Sequence, residues 1–264
     1  LGGPLVEMAQ AVDGMKLIAQ NNALAGNVTP GDAPGFPVTI SQPGSYRLAS
    51  NLTVPDENTT AIHITADNVT VDLNGFTILG PTVCAGSPVV CVPTGTGRGV
   101  DAVRNHITVV NGTISGTGAV GVILGANARA EQLRVVSTGG SGIIAGAGST
   151  VSVNTSAIIV FFCVAAGDGT TVRGNTTSSN GVDGISAGAG STVSGNTALG
   201  NDRHGFFVLA GSAVIRNTAR SNASFGLVLG AETGYTHNVL SDNGLGAVAG
   251  GVSLGQNLCD GAVC

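Results

Sequence analysis

Hydrophobic residues along this chain recur in short alternating runs, and the runs repeat. Counting a small residue as position zero, position +1 reads Ile62, Val100, Val122, Ile143, Val164, Ile185, Phe206, Leu227 and Ala247. Position +3 reads Ile64, Ala102, Leu124, Ala145, Ala166, Ala187, Val208, Leu229 and Ala249. Successive side chains of a strand point to opposite faces, so +1 and +3 share a face, which is read as the interior. The +2 position reads His63, Asp101, Ile123, Ile144, Ala165, Ser186, Phe207, Val228 and Val248, and is predicted to face outward.

The zero positions are Ala61, Gly99, Gly121, Gly142, Cys163, Gly184, Gly205 and Gly226, from Gly121 onward at a 21-residue step, and Gly246 follows after 20. Two asparagine series keep the interval of 21: Asn154, Asn175, Asn196, Asn217, Asn238, and Asn180, Asn201, Asn222, Asn243. No helical apolar periodicity runs inside the repeat, and no leucine framework is present. The elements predicted are therefore two or three short strands per turn of a solenoid whose turns stack into parallel sheets. At ~4.8 Å per stacked strand, the span from the first coil start to the last is about 40 Å. An insertion at 81–98 interrupts the first coils.

Asparagine tolerates the left-handed conformation of tight turns, and its amide can bond the amide one coil away, so both series are expected to form ladders. Sequons such as Asn175-Thr176-Thr177 carry a second reading, as glycan acceptors in a secretory protein.

Over residues 38–258 these coils, the asparagines stacked at a turn and the opening "VTISQPGSYRLASNLTV...ADNVTVDLNGFTILG" resemble the right-handed parallel β-helix, or pectin lyase-like, superfamily. The likeness is to secreted bacterial right-handed β-helix repeat proteins. It implies an all-β, right-handed solenoid on a fold that hosts pectate and alginate lyases, epimerases, glycosidases, tailspikes and adhesins, so it fixes architecture better than function.

The expected organisation is a segment 1–37 that caps or contacts a subunit, a β-helix over 38–258, and a tail over 259–264 tied by a disulfide. Within "PLVEMAQAVDGMKLIAQNNALA" at 4–25, Leu5, Met8, Val12, Met15 and Ile18 mark one face of an amphipathic helix that starts at Pro4. A solenoid needs such a cap over its first open coil. The segment lacks a basic n-region and a continuous apolar core, so a secreted chain is expected here in mature form.

Composition narrows the partners. The single lysine, Lys16, and a net charge of −5 leave no basic stripe to neutralise phosphates, so nucleic acid is not expected. The longest apolar run, Ala157 to Ala166, is about half the ~18 residues of a membrane span. Five cysteines suggest two short disulfides, Cys84 with Cys91 and Cys259 with Cys264, and hence an oxidising, extracellular or cell-surface location. No "CxxC" pair or zinc-spaced histidine accompanies them, so neither metal nor other cofactor is expected, and Cys163 reads as a buried small residue.

Enzymes of the resembled fold abstract a proton beside a uronate carboxylate with Lys, Arg, His or Tyr, often helped by calcium, or use paired carboxylates for hydrolysis. The best local cluster for such chemistry is Asp183, Asp202, Arg203 and His204, since Asp183 and His204 stack on adjacent coils. The bland reading is a solvated ion pair at a loop. His63 with Asp101 is a second candidate.

The outer row is largely apolar, through Ile123, Ile144, Phe207, Val228 and Val248, and "IIVFF" adds Phe161 and Phe162 at a turn. Monomers seldom expose such a stripe, so burial against another copy is expected, with cover by the loop 81–98 as the alternative. Tyr46 and Tyr235 are the only tyrosines and Trp is absent, which is a poor inventory for sugar stacking. The sequence therefore reads first as a secreted structural or adhesive solenoid that associates with itself as oligomer or filament. The alternative is a small enzyme acting on extracellular polysaccharide, a uronate lyase, epimerase or hydrolase.

Overall fold

The computed structural model describes residues 14–264 as a parallel β-solenoid of about 11 turns. Each turn contributes a strand to up to three sheets. Sheet A starts at Val38–Ile40 and passes through Ile62–Ile64, Val100–Ala102, Val122–Leu124 and their successors to Gly246–Ser253. Sheet B starts at Lys16–Ile18, and sheet C at Leu52–Thr53. The pairings between turns are parallel, with a register shift between Leu229 and Gly234 where Phe225–Thr236 meets Gly246–Ser253, and the closing pair is antiparallel, Leu258–Cys259 against Ala262–Val263.

The alternation read from the sequence sets the inside of sheet A. Ile62, Val100, Val122, Ile143, Val164, Ile185, Phe206 and Leu227 have no exposed surface, and one continuous apolar core runs down the axis. At roughly 25 cal/mol per Å² of apolar surface removed from water, this column is the main stabilising contribution.

Most corners from Gly148 onward are made by one left-handed residue followed by a polar one, whereas Ile107, Ala128, Leu133 and Ile159 take that second place at other corners. Between sheets B and C the left-handed positions are Val153, Gly174, Gly195, Arg216 and His237, and the next residues are Asn154, Asn175, Asn196, Asn217 and Asn238. After sheet C, Ser179, Gly200, Ser221 and Asp242 precede Asn180, Asn201, Asn222 and Asn243. The strained backbone thus falls on the neighbour, and the asparagine supplies the hydrogen bonds. In the first ladder each Nδ2 donates to the next Oδ1 at 3.0–3.2 Å, while the same Oδ1 accepts the backbone N–H of the preceding rung. The second ladder is tighter, 2.6–2.9 Å. Asn257 extends the first ladder after a 19-residue step, which the even interval of 21 passes over. A third ladder, Ser149, Thr170, Ser191, Ser212 and Thr233, turns the corner between sheets A and B and is masked in the sequence by its mixed composition. Asn175 is 1% exposed with both amide hydrogens engaged, so its sequon is closed to a glycan.

Two expectations change. The long helix expected over 4–25 is interrupted in its described part: Lys16–Ile18 is a strand against Gly44–Leu48, and only Gln20–Ala25 is helical. The physical reason is the bare edge of sheet B, whose backbone groups Lys16–Ile18 satisfies. Residues 4–13 of that helix lie outside the described residues. In the last coil Gly246 pairs with Phe225, Val248 with Leu227 and Ala249 with Val228. The 21-residue step therefore continues to Ala247, and Val248 takes the inward register and packs on the core instead of joining the outer row. Gly246, at φ +130°, serves the corner, and reading it as the zero position shifted the register by one.

The insertion folds as a hairpin, Val83–Ala85 with Val90–Val92, joined by the Cys84–Cys91 disulfide; Cys259–Cys264 ties the tail. Cys84, Val89 and Cys91 pack on Ile158 and Val160, and the Ser87 hydroxyl reaches Asp202 at 3.2 Å. The hairpin is a brace laid across several turns, covering part of the "IIVFF" segment and leaving the outer row of sheet A uncovered.

Candidate functional site

The outer row of sheet A, in paired register, is Thr39, His63, Asp101, Ile123, Ile144, Ala165, Ser186, Phe207, Val228 and Ala249. Every one of these side chains is partly exposed. The row is polar at its N-terminal end and apolar over most of the rest. Cross-strand neighbours in register lie within contact distance, so pairing Asp101 with His63 sets a carboxylate beside an imidazole.

His63 Nδ1 is 3.4 Å from the Asp101 carboxylate, an ion-pair distance, and Arg98 donates to the other Asp101 oxygen at 2.9 Å. Arg98 enters the strand three residues before Asp101, and its backbone N–H is held by the Thr60 hydroxyl. The three side chains are between a fifth and a half exposed. His63 and Asp101 line a groove of about 380 Å³ with Phe36, Pro37, Asn58, Thr59 and Thr60. A carboxylate facing Nδ1 favours the tautomer with its proton there, which leaves Nε2 free as a base. The Arg98 guanidinium retains N–H donors for an anionic group. Arg98 escaped the sequence reading because it lies at the end of the insertion, where the repeat is broken, and Thr60 because it precedes the first coil start; the i, i+3 spacing of Arg98 and Asp101 at a strand entry was the available signal.

The other cluster is built differently. Asp183 is fully buried and accepts from Arg203 through both guanidinium contacts and from the backbone N–H of His204 at 3.0 Å. The Arg203 guanidinium lies 6.0 Å from the rings of both Phe162 and Phe207. His204 stacks on Phe225, and its Nδ1 accepts the Phe225 N–H at 3.3 Å. Burial holds the His204 pKa below its ordinary value, with the Arg203 charge acting in the same direction against Asp183. The expected side-chain contact of Asp183 with His204 is thus a contact with the backbone, and this carboxylate is consumed in fastening a turn. Asp202 accepts from Ser87 of the hairpin. Phe161 is half exposed, and Phe162 is engaged by Arg203 of the same chain. Cys163 donates to the Ser156 carbonyl, and burial pushes its thiol pKa up to about 12.

The architecture, a parallel β-helix, is that of the pectin lyase-like superfamily. Residues 96–257 match the family model described as NosD, periplasmic copper-binding protein, and the chain belongs to that family. No curated protein matches. Among solved structures, the periplasmic alginate epimerase AlgG is similar at 14% identity, covering 92% of this chain and 82% of that one, with a TM-score of 0.44. The Azotobacter vinelandii mannuronan C-5 epimerase AlgE4 A-module is similar at 16% identity, covering 78% and 65%, with a TM-score of 0.43. These likenesses concern the fold.

The family description names copper, and this chain's donors do not fit it. Among the described residues no three His, Cys, Asp or Glu side chains converge. His63, Cys163 and His204 stand on different, well-separated turns of the solenoid, and the other four cysteines are in disulfides.

Proposed function

We propose that this chain is an exported β-solenoid that binds an acidic polysaccharide on the outer face of sheet A and acts on it at His63, as a uronate epimerase or lyase does. The observation that carries this is the association of His63 and Asp101 in one open groove, with Arg98 bonded to Asp101. Removing the proton beside a sugar carboxylate requires a base within reach and a cation against the carboxylate, where negative charge develops. His63 Nε2 takes the C-5 proton, Asp101 orients the ring and the free donors of Arg98 take the carboxylate; water in the open groove then returns a proton to the opposite face of C-5 in epimerisation, or to the departing O-4 as the C4–O4 bond breaks in elimination. Export is supported by the two disulfides and by the family's periplasmic description.

The test is incubation of the full chain with polymannuronate and polygalacturonate, followed by proton NMR for C-5 inversion and ultraviolet absorbance for unsaturated ends. His63→Ala is expected to lower the rate about 10²- to 10⁴-fold, the usual contribution of a positioned acid or base. Absence of either product with every uronate polymer, or an unimpaired His63→Ala variant, refutes the reading.

A second reading, self-association, is favoured by the partly exposed Ile123, Ile144, Phe207 and Val228 in a single row. Light scattering of the wild type and of Phe207→Asp decides it: an oligomer that the substitution dissolves supports association, and a wild-type monomer overturns it.

A further inference from the structure

The corner that joins sheets B and C gathers the unpaired positive charge of the chain. Arg47, Arg98, Arg129, Arg203 and Arg220 each pair with a carboxylate. The arginines without such a partner among the described residues are Arg104, Arg134, Arg173 and Arg216, all exposed, and the last three share this corner. Register fixes their places. Arg173 pairs with Ser194 and Ser194 with Ile215, so Arg216, the next residue, stands two turns beyond Arg173. Arg134 pairs with Thr155 and Thr155 with Thr176, which shares a turn with Arg173, so Arg134 stands two turns before it. One cation thus recurs on every second turn, about 10 Å apart along the axis, over a strip roughly 20 Å long.

No opposite charge neutralises this strip. Between residues 150 and 241 neither the outer faces of sheets B and C nor their corner bears a carboxylate: Asp168 and Glu232 lie at the corner between sheets A and B, and Asp183 and Asp202 precede sheet A. Glu131, on the turn of Arg134, is held by Arg129 and by the Ser152 hydroxyl. The surplus stands in a chain of net charge −5, which makes the corner the face to which an anion is drawn. Between Arg173 and Arg216 the intervening turn offers Ser194, Gly195 and Thr197, and a Cβ at Gly195 would meet nothing within 4 Å, so the surface there is open.

The spacing and the lining select among anions. No aromatic ring lies on the strip, whereas single-stranded nucleic acid is held by rings on which its bases stack. A membrane surface calls for a denser basic cluster beside inserted apolar groups. In an extended acidic polysaccharide whose alternate sugars are turned over, carboxylates on one side recur at every second sugar, with hydroxyls between them. Guanidinium groups take such carboxylates bidentately, and Ser and Thr can bond the hydroxyls.

We propose that the corner between sheets B and C is a second binding surface for a polyuronate chain, laid along the solenoid axis with its carboxylates on Arg134, Arg173 and Arg216. The class of polymer rests on the proposed function. The surface lies on other sheets than the His63 groove, so it anchors the protein to the polymer and takes no part in turnover.

Isothermal titration calorimetry of the full chain with polymannuronate and polygalacturonate, beside neutral dextran and poly(dT), tests it. At least one polyuronate is expected to bind, more weakly as sodium chloride is raised. Arg134→Gln, Arg173→Gln and Arg216→Gln should each weaken that binding about two- to fivefold, the range of an exposed ion pair, and the triple variant about tenfold or more. Arg104→Gln, which removes the same charge at another corner, should leave it unchanged. The variants should fold, since these side chains are exposed and bond no other side chain; circular dichroism and the melting temperature verify this. No polyuronate binding, a triple variant that binds as wild type does, an equal loss in Arg104→Gln, or poly(dT) bound as tightly through the same arginines overturns the proposal. Conversion of a short uronate oligomer separates the two readings: binding that depends on the strip without any conversion refutes only the activity at His63, and conversion with binding indifferent to the strip refutes only the strip.

Discussion

Replacing Asn196 by alanine removes the middle rung of the first ladder. Four hydrogen bonds go with it: from the backbone N–H and Nδ2 of Asn175 to Asn196 Oδ1, and from Asn196 Nδ2 to Asn217 Oδ1 and the Val172 carbonyl. Asn217 Oδ1 still accepts the backbone N–H of residue 196, so the principal loss is two donors of Asn175, itself 1% exposed. At about 1–3 kcal/mol for each buried group left unpaired, the expected cost is roughly 3–5 kcal/mol. For a chain of this length that is a fall in melting temperature on the order of 10 °C. Urea unfolding followed by circular dichroism gives the free energy, and Ser186→Ala on the outer face is the control, expected within about 0.5 kcal/mol of wild type. A cost below about 1 kcal/mol for Asn196→Ala would refute the claim that the ladder satisfies backbone donors that water cannot reach.

Three further outcomes are expected. Val153 is β-branched, exposed and left-handed at φ +57°, so Val153→Gly should stabilise by about 1 kcal/mol, read as a rise in the urea midpoint. His204 has its folded-state pKa below its ordinary 6.5, so the folded state binds this proton less readily than the unfolded chain. Its stability contribution is full above pH 6.5 and declines as the pH falls. Melting curves between pH 7.5 and 5.5 should therefore show a smaller loss in His204→Gln than in the wild type. The Cys84–Cys91 loop is short and the hairpin sits outside the axial core, so the double Cys84→Ser, Cys91→Ser variant should become protease-sensitive within 81–98. Limited proteolysis checks this, and the coils should survive the cut.

The coils, the inward rows and two of the ladders were legible because stacking forces equivalent residues to recur at a fixed interval. Where one position tolerates several residue types, the signal fades, as in the third ladder of Ser and Thr. The last coil was misread because two requirements coincided in "GLGAVAGG", a flexible corner and a small residue at the strand start, and a glycine satisfies either. Lys16–Ile18 carries helix-compatible residues, but an open sheet edge outweighs local preference. His63 and Asp101 were legible as neighbours in register. The role of Arg98 was not, because the 81–98 insertion hides which turn it belongs to.

In the first ladder every side-chain amide donates in the same sense, from each turn to the one that follows it in the chain. The amide dipoles therefore lie head to tail, with the oxygen of Asn154 at the negative end, and each polarises the next. Turning one amide over would set oxygen against oxygen on one side and nitrogen against nitrogen on the other, so orientation is decided once for the whole column. A whole turn can be gained or lost without disturbing that choice, and the 19-residue step to Asn257 keeps it because the turn still delivers an asparagine to the same corner. The solenoid is in this sense a counted object: its length is quantised in whole turns by the directionality of a buried hydrogen bond.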